Sequence, residues 1–151
     1  MRKGIYIIPN SITLCGMTLG FYSILSSLKG FSSTGAEASA HFSYAASAIL
    51  FANIADALDG WVARLTNSTS KFGVQLDSLS DLLTFGAAPA VLAFSYCLYD
   101  LGRGGWAVPL FFVLCAAMRL ARFNVQSDSA ECRHFTGMPT PSAATILSSG
   151  I

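Results

Sequence analysis

Asp56, Asp59, Asp77 and Asp81 make up half of the eight acidic residues in this 151-residue chain, and they fall in one window between long apolar runs. At about 100° per residue, Asp56, Asp59 and Ala63 share one helix face with Gly60 beside them. Asp77 and Asp81 are four apart and share a second face, with Gly73 one turn earlier. A polar link from Leu65 to Phe72 predicts an antiparallel hairpin, from which the four carboxylates converge out of two facing helices. A charge at mid-membrane costs roughly 2.5–3.5 kcal/mol on insertion scales, and clustering like charges adds repulsion. A divalent cation offsets both, and carboxylate oxygens suit magnesium, manganese or calcium. Four carboxylates on two helices suit two ions better than one, and such a pair can clamp a diphosphate during displacement at phosphorus. Gly60, Ala63 and Gly73 remove bulk beside the acids, and Arg64 adds a fork of donors suited to phosphate. Acids that merely cap helix ends would not need four members on converging faces. A divalent-cation or proton-coupled transporter is the rival from another class, but a guanidinium at the mouth of a cation path gains it nothing.

The elements that must position these residues are membrane helices. The chain is 53% hydrophobic and 11% charged, against about 25% charged in ordinary globular proteins. Apolar runs of roughly 20 residues recur, giving an all-α, polytopic transmembrane bundle of four complete spans plus the start of a fifth. With a net charge of +1 and no basic stripe with aromatic platforms, nothing points to nucleic acid. Cys15, Cys97, Cys115 and Cys132 lack metal-ligand spacing, and three of them fall in apolar runs as packing residues. His41 and His134 have no partners at useful spacing.

In chain order, residues 1–9 suggest an interfacial arm, followed by a first span from Asn10 to Leu28. That span carries Gly16-Met-Thr-Leu-Gly20, a small-xxx-small pattern expected to pack within the subunit. The polar, Gly/Ser-rich residues 29–40 read as a loop. A second span is expected from His41 to Leu65, and a third from Gly73 to Tyr99 with a kink at Pro89. DLGRGG forms a short loop before a fourth span from Trp106 to Phe123. A polar stretch then leads to SAATILSSGI, the opening of a fifth span, so residues 1–151 read as one membrane domain cut short at its C-terminal end. Seven basic residues, Arg2, Lys3, Arg64, Lys71, Arg119, Arg122 and Arg133, fall on one side of this four-span arrangement. Only Lys29 and Arg103 fall on the other. The positive-inside rule makes the first side, with the aspartates, cytoplasmic.

The order Asp56-xx-Asp59-Gly60-xx-Ala63-Arg64, eight residues, Gly73-xxx-Asp77-xxx-Asp81 resembles the signature of the CDP-alcohol phosphotransferases at every motif position. The resemblance implies integral membrane enzymes, usually with six core helices and often homodimeric. They move a phosphatidyl or similar group from a CDP-linked donor to an alcohol and release CMP. It implies that Asp56, Asp59 and Asp77 ligate metal, magnesium or manganese. It gives Asp81 the completion of the metal site and the role of general base. It gives Gly60, Ala63, Arg64 and Gly73 the cytidine diphosphate moiety.

The acceptor is left to the flanks. Arg119-Leu-Ala-Arg122-Phe-Asn124, Phe135-Thr-Gly-Met-Pro139-Thr-Pro141-Ser-Ala-Ala and the opening Arg2–Thr13 stretch resemble the serine-accepting subgroup, in which CDP-diacylglycerol and L-serine give phosphatidylserine. Arg119 and Arg122 share a face and suit a serine carboxylate or a lipid phosphate, or else serve as interfacial anchors. Asn124 can hydrogen-bond the amino acid, or simply end a helix. Asn10 and Thr13 either close the donor site or start the first helix. Glycerol 3-phosphate and inositol phosphate are the alternative acceptors within the same chemistry. Membrane lipids are the surroundings, and the form resembles members from bacterial inner membranes.

Overall fold

A computed structural model describes residues 7–66, 71–128 and 140–149, all helical apart from short turns. The arm expected at residues 1–9 lies mostly outside the described residues, as do positions 67–70 of the link, Cys132, Arg133, His134 and the 135–139 stretch. α1 runs Ile7–Ser32 and α2 runs Ala36–Thr66. A third span begins with α3 (Lys71–Asp81), widens into a π-helical turn (Leu82–Ala87), continues as α4 (Ala88–Ala93) and a second π turn (Phe94–Leu98), and tightens into a 3₁₀ turn (Tyr99–Gly104). α5 is Ala107–Asp128 and α6 is Thr140–Ser149. Four stretches, Asn10–Ser32, Ala36–Val62, Phe72–Gly102 and Ala107–Val125, are long and apolar enough to cross a membrane. The protein is an all-α integral membrane protein.

α1 and α2 form the most extensive helix pair. Membrane helices have little hydrophobic drive to associate, so small residues and hydroxyls set the contact. Ser23 Oγ donates to the Ala45 carbonyl at 2.9 Å, and Ser26 Oγ to the His41 carbonyl at 3.0 Å. The expected packing of the Gly16–Gly20 pair within the subunit is what the structure shows. Gly16 faces Ala55 of α2, while a Cβ at Gly20 would lie 2.9 Å from the Thr84 Cα in the third span. The apolar core joins α2, the third span and α6 through Phe42, Ala45, Ile49, Phe85, Ala88, Leu92 and Ala144.

One expectation is corrected. Residues 29–40 are not a loop: α1 continues to Ser32 and α2 starts at Ala36. Serine sustains the helix end by bonding back to its own turn, Ser32 Oγ to the Leu28 carbonyl at 3.1 Å. The reversal then needs only 33–35, with Gly35 at a φ of 64° that a side chain would disfavour. At Pro89, where a kink was expected, the third span stays helical and carries an irregular turn just before the proline. Proline lacks the N–H for the carbonyl four residues back and its ring collides with that carbonyl. Widening the preceding turn to a π spacing relieves that collision, and Ala87 and Ala88 keep right-handed helical dihedrals. The π turn begins directly after Asp81.

Candidate metal centre

α2 carries Asp56 and Asp59 one turn apart, and α3 carries Asp77 and Asp81, also one turn apart. α1 packs against both α2 and α3, and beside it the acids of the two helices come together. One carboxylate oxygen from each of Asp56, Asp59 and Asp77 lies within 4.8 Å of the others. The carboxyl of Asp81 lies within hydrogen-bonding reach of Asp56. Asp59 is buried, and Asp56, Asp77 and Asp81 are half-buried.

A cleft opens onto three of these acids. Its walls are Thr13 and Gly16 of α1, Ala52, Asp56 and Asp59 of α2, and Ser80, Asp81, Thr84 and Phe85 of the third span. α1 contacts both α2 and α3 and so joins the two acid-bearing helices. Thr13 Oγ1 donates to Asp59 Oδ2 at 2.7 Å, and Ser80 Oγ donates to the Thr13 carbonyl at 3.2 Å. Thr84 Oγ1 reaches the Gly16 carbonyl at 3.5 Å. Carboxylate oxygens gathered at this spacing, in a wall otherwise made of hydroxyls and small side chains, fit a hard divalent cation. They do not fit a soft metal, which takes thiolate or thioether ligands.

The other residues singled out in the sequence are distributed as follows. A Cβ at Gly60 would meet nothing within 4 Å, so the helix surface beside Asp59 is open. Gly73 is half-buried near the start of α3. Ala63 and Arg64 fall in the last turns of α2, and their side chains lie outside those described. On α5, Arg119 is half-buried and Arg122 exposed. Asn124 reaches α3, where its Nδ2 donates to Ser78 Oγ at 2.9 Å while the Ser78 proton serves the Val74 carbonyl at 3.0 Å. Asn10, Arg119, Arg122 and Asn124 do not line the cleft.

Sequence reasoning passed over Ser80, Thr84 and Ser78, the hydroxyls interleaved with the aspartates. It also passed over Asn53, whose Nδ2 donates to Thr145 Oγ1 of α6 at 3.1 Å. The signal was polarity inside an apolar span, where a side chain that can hydrogen-bond needs a partner.

Known proteins resemble the chain along nearly its whole length. The family model for CDP-alcohol phosphatidyltransferase matches residues 6–151. The chain is 41% identical over 143 residues to a CDP-diacylglycerol–serine O-phosphatidyltransferase of Helicobacter pylori, covering 95% of this chain and 56% of that protein. It is 40% identical to the enzyme of the same name from Saccharomyces cerevisiae, covering 90% and 50% respectively. It is 37% identical to an archaetidylserine synthase of Methanothermobacter thermautotrophicus, covering 94% and 56%. The chain thus spans about half the length of the curated relatives it matches.

Proposed function

The chain belongs to the CDP-alcohol phosphatidyltransferase family, and from that premise we propose that it carries the catalytic site of an enzyme making phosphatidylserine and CMP from CDP-diacylglycerol and L-serine. The observation that carries the reading is the meeting of the four aspartates of α2 and α3, three of which line one cleft. Serine as acceptor is supported by the relatives. Their names differ in the lipid, diacylglycerol or its archaeal counterpart, and agree in serine.

Enzymes of this family depend on a divalent metal, and the aspartate cluster suits one. In this reading Asp56, Asp59, Asp77 and Asp81 hold two ions, magnesium or manganese. When bound, these supply neutralisation of the diphosphate and of the charge that grows on departing CMP. Gly60 and Gly73 leave the helix surfaces bare for the cytidine diphosphate moiety, with Ala63 and Arg64 at its edge. Asp81 takes the proton from the serine hydroxyl as that oxygen attacks the lipid-bearing phosphorus. The new bond joins serine oxygen to phosphorus, the bridging P–O bond breaks, and CMP leaves with the bridging oxygen and the electron pair. In-line attack needs the hydroxyl opposite the leaving oxygen, which places serine on the side of the phosphorus away from the cytidine. Arg119 and Arg122 are assigned to the serine carboxylate or lipid phosphate, and Asn124 and Asn10 to the rim of the site. The same reading takes the enzyme as a homodimer in a bacterial inner membrane with the aspartates toward the cytoplasm. The basic-residue count and the family resemblance support this.

The test supplies the full-length protein in lipid–detergent micelles with CDP-diacylglycerol, manganese and one acceptor at a time. CMP release is expected with L-serine. Release only with glycerol 3-phosphate or inositol phosphate would keep the aspartate chemistry and overturn the acceptor.

A further inference from the structure

Hydroxyls tie α1 to its neighbours through backbone carbonyls at several points. Ser23 and Ser26 donate to carbonyls of α2, while Ser80 and Thr84 donate to carbonyls of α1. Thr13 instead donates to a carboxylate, Asp59 Oδ2, at 2.7 Å. Both partners are buried, Thr13 at 8% and Asp59 at 5% exposure, and they are far apart in sequence. α1 itself carries no acidic residue.

We propose that Thr13 is a positioning residue for the aspartate site, fixing the Asp59 carboxylate from a helix outside the motif and so setting the site's affinity for its divalent ion. The proposal rests on the metal reading given above. A carboxylate next to others of like charge lowers its energy by turning away from them. A donor on one oxygen holds the group facing the cluster and leaves the second oxygen for a ligand. The donor is itself fixed, because the Thr13 carbonyl accepts from Ser80 Oγ at 3.2 Å. One residue of α1 is therefore keyed to α2 through its side chain and to the third span through its backbone, next to Asp59 in one case and Asp81 in the other. A role in packing alone would be met by valine, which has the same shape as threonine without the proton.

The experiment titrates manganese into the full-length protein in nanodiscs without substrate, following the free-ion signal by electron paramagnetic resonance. Thr13→Val is expected to weaken manganese binding about 10–100-fold, and Thr13→Ser to stay within about threefold of the parent. Ser23→Ala, which deletes another buried α1 hydroxyl bond away from the acids, is expected to bind as the parent does. Parental affinity in Thr13→Val, or an equal loss in Ser23→Ala, would overturn the proposal. Should Thr13→Val not be recovered folded, Thr13→Cys takes its place. Its weaker donor is expected to bind less tightly than Thr13→Ser, and equal affinity of the two would overturn the assignment. A parent protein that binds no manganese would overturn the metal reading itself, a result distinguishable from failure of the Thr13 role alone.

Discussion

At the scale of single residues, the proposed division of labour among the four aspartates is argued from where each sits. Asp59 is the most buried and already has a fixed partner in Thr13. Asp81 sits where α3 gives way to the π turn and lines the cleft beside Phe85 and Thr84. That position suits a group that must meet an incoming hydroxyl. Asp81→Asn is therefore expected to cut turnover by roughly 10²–10⁴-fold, the usual contribution of a general base. Steady-state CMP release measures it, and near-parental turnover would move the proton transfer to another group. Asp77→Asn removes a donor from the cluster and is expected to raise the manganese concentration needed for half-maximal activity. An unchanged metal requirement would place the ion elsewhere. The aspartates were readable because their types and spacing carry the chemistry within one short window. Thr13, Ser78 and Ser80 were not readable in the same way. A hydroxyl in an apolar span announces that it needs a partner, but only the packing of α1 and α5 against the hairpin says which one.

At the scale of elements, the site is precise because its walls are thin. Gly20 lets α1 lie against the third span at the level of Thr84, where a Cβ would come within 2.9 Å of backbone. Gly20→Val is expected to destabilise the fold by about 1–3 kcal/mol through overpacking. Thermal unfolding in detergent reads this as a lowered midpoint, and an unchanged midpoint would mean that the two helices are free to separate. Gly60→Ala provides the contrast. Its new methyl enters open space and replaces a poor helix former, so stability should hold or rise by up to about 1 kcal/mol. The KM for CDP-diacylglycerol should increase, since the bare surface is assigned to the donor; an unchanged KM would remove Gly60 from that site. The long apolar runs and the small-residue pattern made the spans and the α1 packing predictable. The turn at 33–35 was hidden because serine and glycine read as loop residues, whereas here serine bonds to its own helix. The π turn was hidden because it is one of several ways a helix can absorb a proline, and the neighbours select among them.

At the scale of the whole molecule, four spans set the hairpin and its aspartates at one end and the 33–35 turn at the other. Thr34→Cys, in a protein otherwise free of cysteine, is expected to react with an impermeant maleimide added outside intact cells. Reaction only after the membrane is opened would reverse the orientation argued from the basic residues. α5 packs against the first π turn and α4 and leaves Phe111, Leu114, Met118 and Phe123 exposed, an outer surface suited to lipid tails or neighbouring helices. The central claim is that the gathered carboxylates join serine to the lipid phosphorus with metal assistance. The direct measurement gives the full-length protein CDP-diacylglycerol and radiolabelled serine, first with a chelator and then with excess manganese. The account predicts one labelled lipid per CMP released, both absent under chelation and both restored by manganese. Transfer that persists in chelator, or CMP release with no label entering lipid, would contradict it.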